Sequence, residues 1–217
     1  MTIECVTVEN NHLYAGNPLA GQHHLRYEAI IGRQDWPVPC IKCMEYDQYD
    51  NPATTYLVWR DNQMIVRAVS RLYPTDRPFM LQECFSHMVS YHEMPSGSDV
   101  LEGSRFCIDK NMAVDLRQRI LQELLIAYFE YALSNNITRI IGVMYPIYWK
   151  NIFEKNGCSI VWLGESCKTD DGKKSRAGAL PISHQMLAQV RQSTGIHERV
   201  LIHKNCKEEG YAKIKAA

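Results

Sequence analysis

The residues of this chain best suited to chemistry are charged groups set beside aromatic and aliphatic neighbours. Glu45-Tyr46-Asp47-Gln48-Tyr49-Asp50 places three carboxylates within six residues. Arg26 and Trp36 precede it, and Arg71 and the run Glu102-Gly103-Ser104-Arg105-Phe106 follow. Charges beside apolar residues are expensive to bury alone and tolerable when paired. A pocket for a ligand bearing both a cation and a carboxylate would need this mix of four acidic and three basic groups. Taken singly, each reads as an ordinary member of a surface ion pair; the spacing of the whole set is what points to a site.

The bulk numbers narrow the possibilities. A chain of 217 residues, 46% hydrophobic and 22% charged, suits one large soluble domain with a substantial core. A formal net charge of zero argues against nucleic acid or a membrane surface as the main partner. No apolar run approaches the ~20 residues of a membrane span, and Met-Thr-Ile-Glu-Cys-Val lacks the pattern of a signal peptide, so a cytoplasmic protein is expected. Eight irregularly spaced cysteines then read as reduced thiols. Cys40-Ile-Lys-Cys43 is the one CxxC, and it lacks the second pair that a zinc site would want. No metal site is expected.

The elements that must position the charged set follow from periodicity. Residues 2–8 alternate as a strand, and a short helix starts near Asn10 and Asn11. Gly16-Asn17-Pro18 interrupts it, and a second helix over about 18–33 carries Arg26. Regular structure is weak from Gly32 to Asn51, where Pro37 and Pro39 preclude a helix interior. Thr54–Trp59 and Met64–Leu72 form a hairpin, with Arg71 at the end of its second strand. A short helix over Phe79–Ser90, a strand over Val100–Ile108 and a long amphipathic helix over 114–134 come next. Strict alternation places Glu102, Ser104 and Phe106 on one face and Arg105 on the other, an arrangement that a bulge at Gly103 would change. Arg139–Met144 is a strand, Pro146–Lys155 a helix ended by Gly157, and Ser159–Leu163 a strand. After a charged loop over Lys168–Arg176 come a strand, Ala177–Ser183, and a helix, His184–Gln192. This is an α/β (α+β) single domain over 1–205, with a frayed tail over 206–217.

On these residues the chain resembles the acyl-homoserine-lactone synthases, the LuxI-type autoinducer synthases. Arg26, Ile30, Trp36 and Glu45-x-Asp47-x-Tyr49-Asp50 follow the family's N-terminal pattern in order. Arg71-Leu-Tyr-Pro74 and Glu102-Gly-Ser104-Arg105-Phe106 match its later motifs. Ile30 stands where the family has phenylalanine, and Ala68 where it has glycine. The resemblance implies a Gcn5-related N-acetyltransferase-like fold, a twisted mixed sheet splayed into a V-shaped cleft with helices packed on it. It implies two substrates, S-adenosylmethionine and an acyl thioester of coenzyme A or acyl-carrier protein, and no tightly bound cofactor. The products would be an N-acyl-homoserine lactone quorum-sensing signal and methylthioadenosine.

The resemblance also assigns roles. Glu102 is the first candidate for the base that deprotonates the methionine amine, with strand N–H groups around Arg105–Cys107 facing the oxyanion. Asp47, Asp50, Glu102 and Arg105 would form the charged network that holds the loop on the sheet, and Arg26 and Arg71 suit ligand carboxylates or phosphates. Ile30 and Trp36 fall on the S-adenosylmethionine side. Phe106, Met144, Tyr145, Ile147 and Trp149 are candidates for the acyl pocket, and the bulky set Tyr145, Tyr148 and Trp149 suggests a short, branched or aromatic acyl group. Two other readings stay open. One is a plain acetyl-CoA-dependent N-acetyltransferase, although Asp109–Gln118 lacks the glycines that cradle a pyrophosphate. The other is an inactive relative that binds S-adenosylmethionine.

Overall fold

The computed structural model describes residues 2–33, 38–169 and 172–204. Trp36 and the expected tail lie outside these residues. In chain order the strands are β1 (Ile3–Val6), β2 (Cys40–Ile41), β3 (Met44–Glu45), β4 (Thr55–Arg60), β5 (Val66–Pro74) and β6 (Val100–Ile108). Then come β7 (Arg139–Met144), β8 (Val161–Trp162), β9 (Cys167–Lys168), β10 (Lys174–Pro181) and β11 (Leu201–His203). The α-helices are α1 (Pro18–Arg26), α2 (Met80–Cys84), α3 (Val114–Ser134), α4 (Pro146–Tyr148) and α5 (His184–Thr194).

The main sheet runs β11-β1-β4-β5-β6-β7-β10-β8, with β9 paired to β10. Its pairs are antiparallel except β1 with β11 and β6 with β7. The second of these follows from α3, which carries the chain from the end of β6 back to the start of β7 as a crossover. One face of the sheet packs on α3 through Ile120, Leu124, Tyr128 and Phe129, and the other packs on α1 through Leu25, Ala29 and Ile30. A third cluster gathers Tyr49, Phe79, Leu81 and Met88 around the start of β6.

The parallel pair is short. Val100, Leu101 and Glu102 face Arg139, Ile140 and Ile141, and there the ladder stops. β6 continues to Ile108 against β5, while β7 continues to Met144 against β10. The two strands splay apart beyond Glu102 into the expected V. Close approach at its base requires a glycine: a side chain on Gly142 would place its Cβ 2.7 Å from the Gly103 carbonyl oxygen.

Most expected elements are present, with instructive exceptions. α1 extends as a π-helical turn over Tyr27–Ile31, a widened winding that begins directly after Arg26. The loop after it contains the hairpin β2–β3, whose turn residues Lys42 and Cys43 are both left-handed (φ 51° and 58°) without the usual Asn-Gly signal. Cys40 and Cys43 are exposed free thiols on that hairpin. β9 and the first residues of β10 occupy the expected charged loop, and β11 adds an edge strand that its three residues did not announce.

Gly142→Ala should therefore open the base of the V. The expected cost is about 1–3 kcal/mol, because backbone rather than a movable side chain is in the way. A melting temperature that falls by several degrees, at about 2–4 °C per kcal/mol for a chain of this length, would bear this out, and an unchanged one would refute it.

Candidate functional site

Four segments separated in sequence converge beside the mouth of the V. The loop from β3 supplies Glu45, Asp47 and Asp50; α1 supplies Arg26; β5 and β6 supply Arg71 and Arg105. Arg26 donates from Nε to Glu45 Oε2 at 2.5 Å and from both terminal nitrogens to Asp50 at 2.7 and 2.8 Å. Arg71 forks onto Asp47 at 2.5 and 2.9 Å, and its Nε donates to Ser104 Oγ at 3.0 Å. Arg105 bridges Glu45 Oε1 at 2.9 Å and Asp47 Oδ2 at 2.7 Å. The side chains of Arg26, Arg71 and Glu45 are fully buried. The six groups form a closed lattice of alternating charge.

Burial sets the electrostatics. It pulls the Asp50 carboxyl upward, but hydrogen bonds from Arg26 and the charges of Arg26 and Arg71 hold it well below the usual carboxylate range. Burial likewise lowers Arg26, and Asp50 and Glu45 more than reverse this. Glu102, expected within the charged network, instead takes its hydrogen bonds from the backbone at the start of α2. Its carboxyl, fully buried, is pushed up to about 7 by desolvation, against the lowering pull of backbone N–H groups from Leu81 and Met80. Those N–H groups donate at 2.6 and 3.1 Å, so Glu102 caps the first turn of α2.

A bulge interrupts β6 beside this lattice. Val69 faces Cys107 and Arg71 faces Ser104, so Ser70 alone opposes both Arg105 and Phe106. The bulge sits at Arg105, not at Gly103, and Arg105 takes a left-handed conformation (φ 53°) that costs a side-chain-bearing residue about 1–2 kcal/mol. Its effect on facing corrects the expected alternation. Ser104 and Arg105 both reach the lattice, while Phe106 turns to the α3 face and meets the Tyr128 ring edge-on at 6.2 Å. Phe106 therefore does not share a face with Glu102.

On that α3 face a small apolar pocket opens where β6 leaves β7, lined by Gly103, Tyr128, Gly142, Met144, Trp149 and Phe153 among others. Met144 and Trp149 meet there as expected; Trp149 is buried, with its indole N–H donating to the Arg176 carbonyl at 2.9 Å. Tyr145 lies outside the pocket lining, stacked on Tyr148 at 5.6 Å, and Ile147 is 55% exposed. Ile30 is buried in the cluster beneath α1. Another groove, lined by Arg60, Asp61, Arg67 and Asp109, holds none of the acidic motif, and its Arg67 pairs are partly exposed.

A family model described as autoinducer synthase matches residues 10–190. The chain belongs to the autoinducer synthase family. It is 29% identical over 176 residues to an acyl-homoserine-lactone synthase of Agrobacterium fabrum, covering 79% of this chain and 82% of that one. It is 28% identical over 164 residues to an isovaleryl-homoserine lactone synthase of Bradyrhizobium diazoefficiens, covering 75% and 72%. Its fold is that of the CoA-dependent acyl-homoserine lactone synthase BjaI, solved with S-adenosylmethionine and isopentyl-CoA, at a TM-score of 0.83 and 24% identity over 100% and 99% of the two chains. As a member of the autoinducer synthase family the chain is an enzyme, an acyltransferase of acyl-homoserine-lactone synthesis. The acetyltransferase reading therefore falls as a function and survives as a fold.

Several residues that touch the charged lattice had no sequence signal strong enough to select them. Tyr56, on β4, donates to Asp50 Oδ1 at 2.6 Å. His23 donates from Nδ1 to the Glu45 carbonyl (2.8 Å) and stacks on Tyr46 at 3.8 Å. Its pKa is lowered by burial and by the neighbouring Arg26. Gln22 reaches Arg26 Nη1 at 3.2 Å, and its i, i+4 spacing is the one local hint among these.

Asp50→Asn should leave one buried positive charge of the lattice uncompensated, with Arg26 held by Glu45 alone and Arg71 by Asp47 alone, and cost about 3–5 kcal/mol at neutral pH. Asp50 is depressed in the folded state, so its contribution is present above the ordinary carboxylate range and is lost as pH falls through and below it. Urea unfolding should show the gap between variant and wild type narrowing below about pH 4; a gap that stays constant with pH would count against the lattice.

Proposed function

We propose that the two halves of the reaction lie on opposite faces of the split sheet. S-adenosylmethionine lies on the lattice face, and the acyl chain of the thioester passes between β6 and β7 into the pocket under α3. The observation that carries this reading is the splay beyond Glu102, with a saturated charge lattice on one side and an apolar pocket on the other. In support, a structural neighbour of this fold was solved with S-adenosylmethionine and isopentyl-CoA together.

The methionine amine attacks the thioester carbonyl carbon, and Glu102 takes the amine proton directly or through water. A carboxyl held near 7 by burial is well matched to this work. The tetrahedral oxyanion meets N–H groups on the edge of β6 around Arg105–Cys107, where no β7 partner faces it. The thiolate leaves as the amide forms. The carboxylate oxygen of the acylated methionine then attacks the carbon bonded to the sulfonium, the C–S bond breaks, and methylthioadenosine departs as the lactone closes. This second step asks mainly for positioning.

Arg26, Arg71, Asp47 and Asp50 position the loop rather than grip a ligand, because their charges are already spent on each other. Arg105 keeps the lattice on the bulged strand. Trp36 and Ile30 belong to the S-adenosylmethionine side by their place in the family motif. Met144, Trp149 and Phe106 bound the acyl side, with Tyr145 toward its rim. The bulky lining favours a short, branched or aromatic acyl group, in keeping with an isovaleryl-specific relative. Both substrates place the enzyme in the cytoplasm; among the described residues no helix is long and apolar enough to cross a membrane.

Methylthioadenosine release, followed by chromatography with acyl-CoA and acyl-carrier-protein donors from isovaleryl and cinnamoyl to dodecanoyl, tests the reading. Release should depend on one short, branched or aromatic donor; faster turnover of dodecanoyl thioester would overturn the acyl assignment. The rate should rise with pH through about 7 as Glu102 loses its proton. Glu102→Gln should abolish that limb and lower the rate by about 10²–10⁴. A variant that keeps both rate and limb would remove Glu102 from the role of base.

A further inference from the structure

Arg105 holds a strained backbone, and the groups that enforce it lie on the opposite face of the sheet. Ser70, the single β5 residue opposite the bulge, donates its hydroxyl to the Ser104 carbonyl at 3.3 Å. Tyr128, on α3, hydrogen-bonds in turn to Ser70 Oγ. With the Ser70 proton committed to Ser104, Tyr128 is the donor in that second bond. Both residues are buried, and each hydroxyl therefore needs the other. Tyr128 also presses on β6 elsewhere: a Cβ added to Gly103 would meet its hydroxyl oxygen at 3.1 Å, and its ring packs on Phe106. A bulge leaves a ladder carbonyl without its regular partner, and this relay supplies one to Ser104, the residue just before Arg105.

We propose that Ser70 and Tyr128 are positioning residues of the synthase, a clamp from α3 that holds the bulge at Arg105. The clamp sets which way the β6 N–H groups past Glu102 face, and it keeps Ser104 and Arg105 together on the lattice face. Neither side chain belongs to the charged set. Because Tyr128 also lines the apolar pocket, one side chain connects the acyl face to the strand that carries Arg105. The inference rests on the proposed placement of the two substrates.

Ser70→Ala tests the clamp without altering the pocket lining, and Tyr128→Phe removes only a hydroxyl. Each should lower kcat about tenfold to a hundredfold, with KM for both substrates within about threefold of wild type. The double variant should lose no more than the worse single, because the two hydroxyls act in series. The melting temperature should fall by about 2–4 °C in Tyr128→Phe, which loses one hydrogen bond, and by about twice that in Ser70→Ala, which loses two. Hydrogen exchange gives a readout that does not need turnover: amides of residues 104–107 should exchange about tenfold faster in Ser70→Ala, with those of α3 unchanged. A wild-type kcat in Ser70→Ala, a loss confined to KM, multiplicative losses in the double variant, or unaltered exchange at 104–107 would each overturn the clamp. A wild-type enzyme that turns over no donor would sink the substrate placement, and the exchange measurement would still decide the clamp.

Discussion

Everything at this site depends on burying charge. Arg26, Arg71 and Glu45 have side chains with no solvent exposure, and each would cost several kcal/mol to bury without a partner. The structure meets that cost by closing the set on itself. Arg26 holds Glu45 and Asp50, Arg71 holds Asp47, and Arg105 joins Glu45 to Asp47. The order matters because the carboxylates lie on a segment with little regular structure, and the arginines lie on a helix and two strands. The lattice ties an irregular loop to a helix and two strands.

The second constraint is the short parallel joint. β6 and β7 pair over three residues and then part, because β6 is held by β5 through a bulge and β7 by β10. An edge of backbone without a strand partner is a liability in most sheets. Here it lines the cleft between β6 and β7. Glu102 stands at the last paired position, its charge disfavoured by burial and its oxygens turned to the first turn of α2. One residue thus links the end of the ladder to a short helix.

Local signals were sufficient wherever one face of an element decided its structure. α3 and β7 have the bounds that their periodicity predicts, and Gly157 ends its helix in the left-handed conformation expected of it. They were insufficient where a pairing partner decided. β11 is three residues long and exists because β1 offers it a parallel edge, and β2–β3 turns on two left-handed residues that no sequence rule would choose. Tyr56 and His23 joined the site unannounced, because their contacts cross from β4 and α1 to a loop some six and twenty-two residues away.

The sequence by itself determined the charge types, their order and hence the family, since buried ion pairs demand particular residues at particular spacings. It also determined the long helix and the strands that carry them. What only the tertiary structure decided was facing. A bulge shifts the two-residue period of a strand by one, and its position at Arg105 turns Phe106 to the α3 face and brings Ser104 beside Arg71. The hydroxyls that meet it, of Ser70 and Tyr128, lie 34 and 58 residues from their partners, a distance across which no local pattern carries information.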